Sequence, residues 1–295
     1  MMLNIYTSPE RIAFEKSLTY YQSAYFQSQT YNQFTAYSTE QLFLPLDIIG
    51  ESAISIPKSP FGSVVLIDHA ADLQTFISEV KKDLKEKGVS ELVIHHPCEI
   101  YKDYPAVNVL EKLGAQLLFN DSNQHILLNE KWEDTIHQMQ VRKLKALQDE
   151  GFTFRKMEKD ELETAYKFLA VCRQTQGLQI NIGWEHLQKL SEKLPGKYEC
   201  FGVFREGKIS ALCISVNVTE DVAYYYLPAT SPMFRNQSPM VMLIAGMVEH
   251  YRDEGYKYLD LGVSSIEGRT QETLKIFKER MGGVSTTKPT LKFLL

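Results

Sequence analysis

The sequence predicts a duplicated α/β protein: two related halves in tandem, each with helices packed on a mixed central sheet. Three observations predict it. The chain has 295 residues, which suits two modest domains better than one. A helix, a stop glycine and a strand follow one another twice in each half, at matching spacing. Strand-like runs joined by short Gly, Pro and acidic turns precede each of these units.

In the first half, Leu42 to Ile49, Ala53 to Pro57 and Ser63 to Ile67 read as strands. Leu73, Phe76, Ile77, Val80 and Leu84 recur at helical spacing, and Gly88 stops that helix. A strand, Leu92-Val93-Ile94, follows. The next helix holds Val109, Leu110 and Leu113, stops at Gly114 and leads into a strand from Gln116 to Phe119. A helix from about Trp132 to Asp149, ended by Gly151, joins the halves and carries Arg142, Lys143 and Lys145 on its polar face.

In the second half, Tyr198 to Phe204, Ile209 to Val216 and Val222 to Leu227 read as a meander with turns at Glu206-Gly207 and Glu220-Asp221. A helix from Pro239 sets Val241, Ile244, Val248 and Tyr251 on one face and stops at Gly255. The strand Leu259-Asp260-Leu261 follows, then a helix with Ile276, Phe277 and Met281 that stops at Gly282, then a strand near Leu291 to Leu294. Gly88 and Gly114 stand 26 residues apart, Gly255 and Gly282 27 apart. A period this large means duplicated domains rather than a solenoid. The expected domains are residues 1–130 and 131–295, the second including the connecting helix. Segments 71–119 and 239–294 are expected to be matching helix-strand-helix-strand units.

Composition narrows the function. The apolar fraction of 44% lets each half bury a core, and the net charge of −5 argues against a dedicated nucleic-acid surface. No apolar run reaches membrane-spanning length, and the N-terminus lacks the pattern of a signal peptide, so membrane insertion is not expected and a cytoplasmic protein is. Cys98, Cys172, Cys200 and Cys213 form no C-x-x-C pair. The run His95-His96-Pro97-Cys98 has no second ligand cluster, so it reads as a strand ending at a Pro turn, and no metal is expected. Cys172 and His186 lack the motif of a nucleophilic pair.

Three stretches carry a family resemblance: Tyr225-Tyr226 with the loop to Pro239; Gly255-Tyr256-Lys257-Tyr258-Leu259-Asp260-Leu261-Gly262; and Phe277-Lys278-Glu279-Arg280-Met281-Gly282-Gly283. Their order resembles the GNAT acyltransferase fold, and the duplication resembles the Fem-type aminoacyltransferases and their FemAB-like acetyltransferase relatives. The third stretch is similar to the F-K-x-x-Φ-G signature of that family. Arg142 and Lys143 resemble the basic pair on its inter-domain helix, and Pro60-Phe61-Gly62 an aromatic-Gly turn of its first half.

The resemblance implies an N-acyltransferase using acyl-coenzyme A, such as acetyl-coenzyme A, on a small-molecule or peptide amine. A Fem-type alternative uses aminoacyl-tRNA on a cell-wall peptide precursor, with tRNA as a partner. A non-catalytic ligand-binding module is the third reading. GNAT enzymes hold the coenzyme pyrophosphate with an R/Q-x-x-G-x-G/A loop; here the stretch is Arg235-Asn236-Gln237-Ser238-Pro239-Met240, which keeps the arginine and loses both small residues. Ser238 and Pro239 read instead as an N-cap and first-turn proline, and the four residues from Arg235 to Ser238 are the candidate donor contacts.

Aligning the halves on their stop glycines sets Asp260 opposite Val93 and Lys278 opposite Leu110. A charge on an apolar strand is costly unless it is paired or used. Asp260 is therefore a candidate to position or deprotonate the amine, and Lys278 to meet a phosphate or developing negative charge. A structural ion pair between the two is the alternative. Tyr226 is the candidate acid for a departing thiolate, a role the resemblance implies. Tyr225, Phe61, Arg142 and Lys143 are candidate substrate contacts. Alternation points Tyr225 away from Tyr224 and Tyr226. Backbone donors for the oxyanion are expected near Leu227 to Thr230. Lys278, one residue past the core-facing Phe277, is expected at the edge of its helix's apolar face.

Overall fold

The computed structural model describes residues 3–8, 32–56, 62–66, 72–101, 106–129, 131–180 and 182–295. Its strands are β1 (Asn4–Tyr6), β2 (Phe34–Ser38), β3 (Leu42–Ile49), β4 (Ser52–Ile54), β5 (Val65–Leu66), β6 (Glu91–His95), β7 (Gln116–Leu127), β8 (Thr153–Lys156), β9 (Tyr198–Arg205), β10 (Lys208–Asn217), β11 (Val222–Thr230), β12 (Tyr258–Val263), β13 (Ser265–Ile266), β14 (Arg269–Thr270) and β15 (Val284–Leu294). The α-helices are α1 (Leu73–Glu86), α2 (Ala106–Lys112), α3 (Trp132–Thr135), α4 (Gln138–Asp149), α5 (Leu162–Gln174), α6 (Trp184–Lys193), α7 (Met240–Asp253) and α8 (Glu272–Arg280). Two compact units result. The first comprises Met1–Asn123, Ser265–Thr270 and Thr286–Leu295; the second comprises Gln124–Ser264 and Gln271–Ser285.

In the first unit β1, β2, β3 and β4 pair antiparallel in sequence. β4 then pairs parallel with β6, and β6 pairs antiparallel with the Thr290–Leu294 part of β15. β15 thus enters the first unit's sheet, between β6 and β7. α1 buries the five residues of its predicted stripe, Leu73, Phe76, Ile77, Val80 and Leu84, against Leu44, Leu92, Ile94 and Leu291. Asp72 caps it by accepting from the Thr75 amide at 2.9 Å.

In the second unit β8, β9, β10 and β11 form the antiparallel meander, and β11 pairs parallel with β12. α7 is buried continuously from Val241 to Val248, as a helix apolar on every face must be. At Gly246 a Cβ would stand 2.3 Å from the Phe154 ring of β8, so only glycine lets strand and helix meet there. The order α1-β6-α2-β7 matches α7-β12-α8-β15, the repeat expected from the stop glycines.

Two expectations are corrected. The helix expected over Trp132 to Asp149 breaks into α3 and α4, because His137 is extended and its Nδ1 accepts from the Met139 amide, starting a new helix. Ser238 is not a side-chain N-cap: it is left-handed, at φ 60°, and α7 begins from Pro239 without a side-chain cap. Beyond the expected elements, β2, β8, α5 and α6 are also formed.

The end of α8 is tightly built. Gly282 has φ +85°, and a Cβ there would lie 2.5 Å from Thr135 Oγ1 and 3.0 Å from Trp132 Nε1. The Trp132 indole N–H itself donates to the Met281 carbonyl at 2.9 Å. Gly282→Ala combines a left-handed conformation with this contact, and is expected to lower unfolding stability by about 2 kcal/mol or more in urea titration. A loss below about 0.5 kcal/mol would mean that α3 moves aside freely.

Candidate active site

The site begins where two parallel strands part. β11 and β12 pair only over Val222–Tyr224 and Tyr258–Asp260. β11 then runs on to Thr230 with β10 along one edge, and its other edge leaves β12. Pro228 lies in this stretch; it has no N–H to give, so it suits an edge and not a strand paired on both sides. The gap therefore opens past Tyr224 and Asp260. Tyr224, Tyr226, Pro228 and Thr230 form the half-buried face of β11, and Tyr225, Leu227 and Ala229 the buried one.

Asp260 and Lys278 stand at the mouth of this gap, both buried, at 1% and 5% exposure. Asp260 Oδ1 accepts from the Gly262 amide at 2.8 Å. Lys278 Nζ donates to the Gly262 and Val263 carbonyls, each at 2.8 Å. Lys278 is the buried residue of α8, not an edge side chain as expected, because its ammonium has these carbonyls to enter toward. Burial pulls its pKa from 10.5 down to about 8, and the negative charge of Asp260 opposes the fall. Tyr224 lies over Gly262: a Cβ there would stand 3.2 Å from both its Cε2 and its hydroxyl oxygen. The Tyr224 and Tyr226 rings are 5.8 Å apart, tilted by 33°. Gly262 is thus the common neighbour of Asp260, Lys278 and Tyr224, and Tyr226 packs beside Tyr224.

The first unit has the same strand parting and closes it. β4 and β6 pair over Ser52–Ile54 and Glu91–Val93, the counterpart of the β11–β12 register. Beyond that point the Ser55 amide donates to Val93 O at 2.9 Å, and the Gly62 amide to His95 O at 3.0 Å. Ser55 Oγ also accepts from the His95 amide at 2.8 Å. These backbone bonds join β4 and β6 past their ladder, whereas β11 and β12 share no ladder past Tyr224 and Asp260. Val93 and Leu110 hold the positions of Asp260 and Lys278 with aliphatic side chains.

Other candidates lie elsewhere. Tyr225 faces the core against Met240, its hydroxyl 3.8 Å from Sδ, and burial pushes its pKa well up. Arg235 and Asn236 are exposed on the short 3-10 turn Pro232–Gln237, which leads into α7. The buried Gln237 Oε1 has no hydrogen-bond partner among the described residues. Lys143 reaches this segment, donating to Ser238 Oγ at 3.2 Å, while Arg142 is exposed on α4. Phe61 lies outside the described residues. His96 is buried with Nδ1 2.9 Å from Ser63 Oγ, and burial lowers its pKa to about 3. The sequence marks Tyr224 only as one of three tyrosines on the strand expected to line the cleft and Gly262 only as the end of a family-like stretch; Pro228 inside a strand pattern is the signal for the exposed edge beside them.

A meander, a parting parallel pair and a helix starting beside the gap define a GNAT-type acyltransferase fold. Residues 138–270 match the family model for the acetyltransferase (GNAT) domain. No curated protein matches the chain. Among solved structures, FemX aligns at a TM-score of 0.63 and 13% identity, covering 89% of this chain and 87% of that one. The C-terminal domain of a protein described as a lysylphosphatidylglycerol synthetase, from Agrobacterium fabrum, aligns at 0.62 and 15%, covering 88% and 84%. L-PGS from Bacillus licheniformis aligns at 0.60 and 13%, covering 88% and 83%. The GNAT and FemAB-like resemblance is borne out in fold. No helix among the described residues is long and apolar enough to cross a membrane, and none of them form a group of three or more His, Cys, Asp or Glu that could hold a metal.

Proposed function

We propose that the protein is an N-acyltransferase whose second unit moves an acyl group from acyl-coenzyme A to an amine. The observation that carries this reading is the open β11–β12 gap, with Asp260, Lys278 and Tyr226 at its mouth. The sealed counterpart in the first unit argues for one centre rather than two.

For the coenzyme, the fit is partial and favourable. Arg235, Lys143 and the start of α7 offer charge and a helix N-terminus to phosphates, and Gln237 Oε1 offers a buried acceptor. The loop lacks the two glycines of a close-fitting phosphate cradle. Acyl-coenzyme A supplies an activated carbonyl; the other contributions come from the chain. Asp260 accepts the proton of the attacking amine, directly or through water. The unpaired edge of β11 near Leu227 to Thr230 offers amides to the oxyanion. Tyr226 gives a proton to the departing thiolate. Two of the three Lys278 ammonium hydrogens serve carbonyls, so one remains to offset negative charge.

A second reading has its own support. FemX, L-PGS and the C-terminal domain of the protein described as a lysylphosphatidylglycerol synthetase share the fold over most of the aligned chains, and the last name specifies a lysyl product. An aminoacyl ester, such as aminoacyl-tRNA, would then be the donor at the same gap. A thermal-shift comparison separates the two. Acetyl-coenzyme A at a hundred times its dissociation constant is expected to stabilise the protein by about 2.7 kcal/mol, and Arg235→Ala to weaken that binding without changing the unliganded melting temperature. Stabilisation by aminoacyl-tRNA alone would favour the second reading. No response to either would leave a module that binds something else.

A further inference from the structure

We infer that Gln124 is a positioning residue that sets the seat of the Lys278 ammonium. Gln124 is fully buried on the last stretch of β7, within the second unit. Its Oε1 accepts from Ser264 Oγ at 2.5 Å, and its Nε2 donates to Ser285 Oγ at 3.1 Å. Ser264 directly follows Val263, whose carbonyl receives the Lys278 ammonium. Ser285 follows the Gly282-Gly283 turn that ends α8, and its hydroxyl donates to Glu279 Oε1 at 2.7 Å. One amide therefore ties the strand end bearing the two carbonyls to the far end of the lysine's own helix.

Nearby backbone contacts leave little slack. The Gln271 amide donates to Ser264 O at 2.7 Å, fixing the start of α8 on the same residue. At Gly283 a Cβ would lie 2.6 Å from Lys278 O and 3.4 Å from Gln124 Cβ, so the turn closes directly on the glutamine. Lys278 reaches its carbonyls by a flexible stem of four methylenes, so the ammonium stays only if strand end and helix keep their separation. A hydrophobe at 124 would fill the volume and drop both bonds. The inference gives Gln124 importance for turnover only if the acyl-transfer reading is right; its geometric content stands apart from that reading.

The test is the titration of Lys278, followed by NMR of 13Cε-labelled lysine in the full chain, with Lys278→Met used for assignment. Gln124→Met removes both bonds at similar volume. Expected is a melting temperature within a few degrees of the parent and a Lys278 midpoint raised by about one pH unit or more toward an ordinary lysine, as the ammonium slips from its seat to water. Ser264→Ala, which removes one bond, is expected to move it the same way by less, and serves if Gln124→Met does not fold. Midpoints within about 0.2 units of the parent in the folded variants would overturn the inference, whatever happens to their stability. No donor or acceptor enters the measurement, so the result is independent of the function proposed above.

Discussion

Lys278→Met is expected to fold normally, to lose at least about tenfold in turnover, equivalent to about 1.4 kcal/mol, and to lose a pH dependence of stability that the parent has. Methionine keeps an apolar stem in the buried position and removes the charge. The sign follows from the depressed pKa. Folded Lys278 titrates at about 8 against an ordinary 10.5, so between these values the unfolded chain binds more protons and stability rises with pH. Below about pH 8 the cost of the buried charge is fully present; above about 10.5 it is gone. The discounted size is about 1–3 kcal/mol. Burial also raises the thiols of Cys172, Cys200 and Cys213, which lowers stability as pH passes about 9, and raises Tyr225 and Tyr251, which does so at still higher pH; parent and mutant share these groups, so the quantity to use is their difference over about pH 8 to 9.5. Urea titrations there should show the parent gaining stability relative to the mutant as pH rises. A large loss of stability in the mutant at neutral pH would instead make Lys278 a structural member of the Gly262–Val263 turn.

Asp260→Asn is expected to have the larger effect on chemistry, a fall in turnover of about a hundredfold or more with the fold intact. Asparagine can still accept from the Gly262 amide through its side-chain carbonyl, so the turn should persist. It cannot take a proton from an amine. It also withdraws the charge that holds the Lys278 pKa up, so Lys278 should titrate below about 8 in this variant. Both effects are checked on one protein, by steady-state kinetics with a working donor and amine and by lysine NMR. Turnover within threefold of the parent would reduce Asp260 to a brace for Gly262.

Much of this arrangement is legible in the residues, and the limits have physical causes. The helix-glycine-strand repeat is visible because stop glycines and amphipathic spacing are local signals, as in α1 with Gly88 and α7 with Gly255. Alignment of the halves on those glycines exposes Asp260 and Lys278 as charges in aliphatic positions. The burial of Lys278 is not legible: helical geometry alone places it at an edge, and the two carbonyls that admit it belong to a distant strand. Tyr224 is hidden for a similar reason, since its contact with Gly262 depends on the register of β11 against β12. The assignment of Ser238 as a cap fails because its backbone is left-handed and α7 starts one residue later, from Pro239, which the residue types alone do not announce. The return of β15 to β6 is a long-range pairing that no local pattern announces.

The account stands on an acyl donor entering the β11–β12 gap of the second unit. Hydrogen exchange read by mass spectrometry, with saturating acetyl-coenzyme A and in parallel with an aminoacylated CCA trinucleotide, tests this most directly. Past Tyr224, β11 has no ladder with β12, so amides of Leu227–Thr230 that do not pair with β10 should exchange readily in the unliganded protein. One of the two donors is predicted to slow exchange over residues 226–230 and 235–242, leaving β4 and β6 of the first unit unchanged. Protection confined to the first unit, or none along β11 with either donor, would contradict the account.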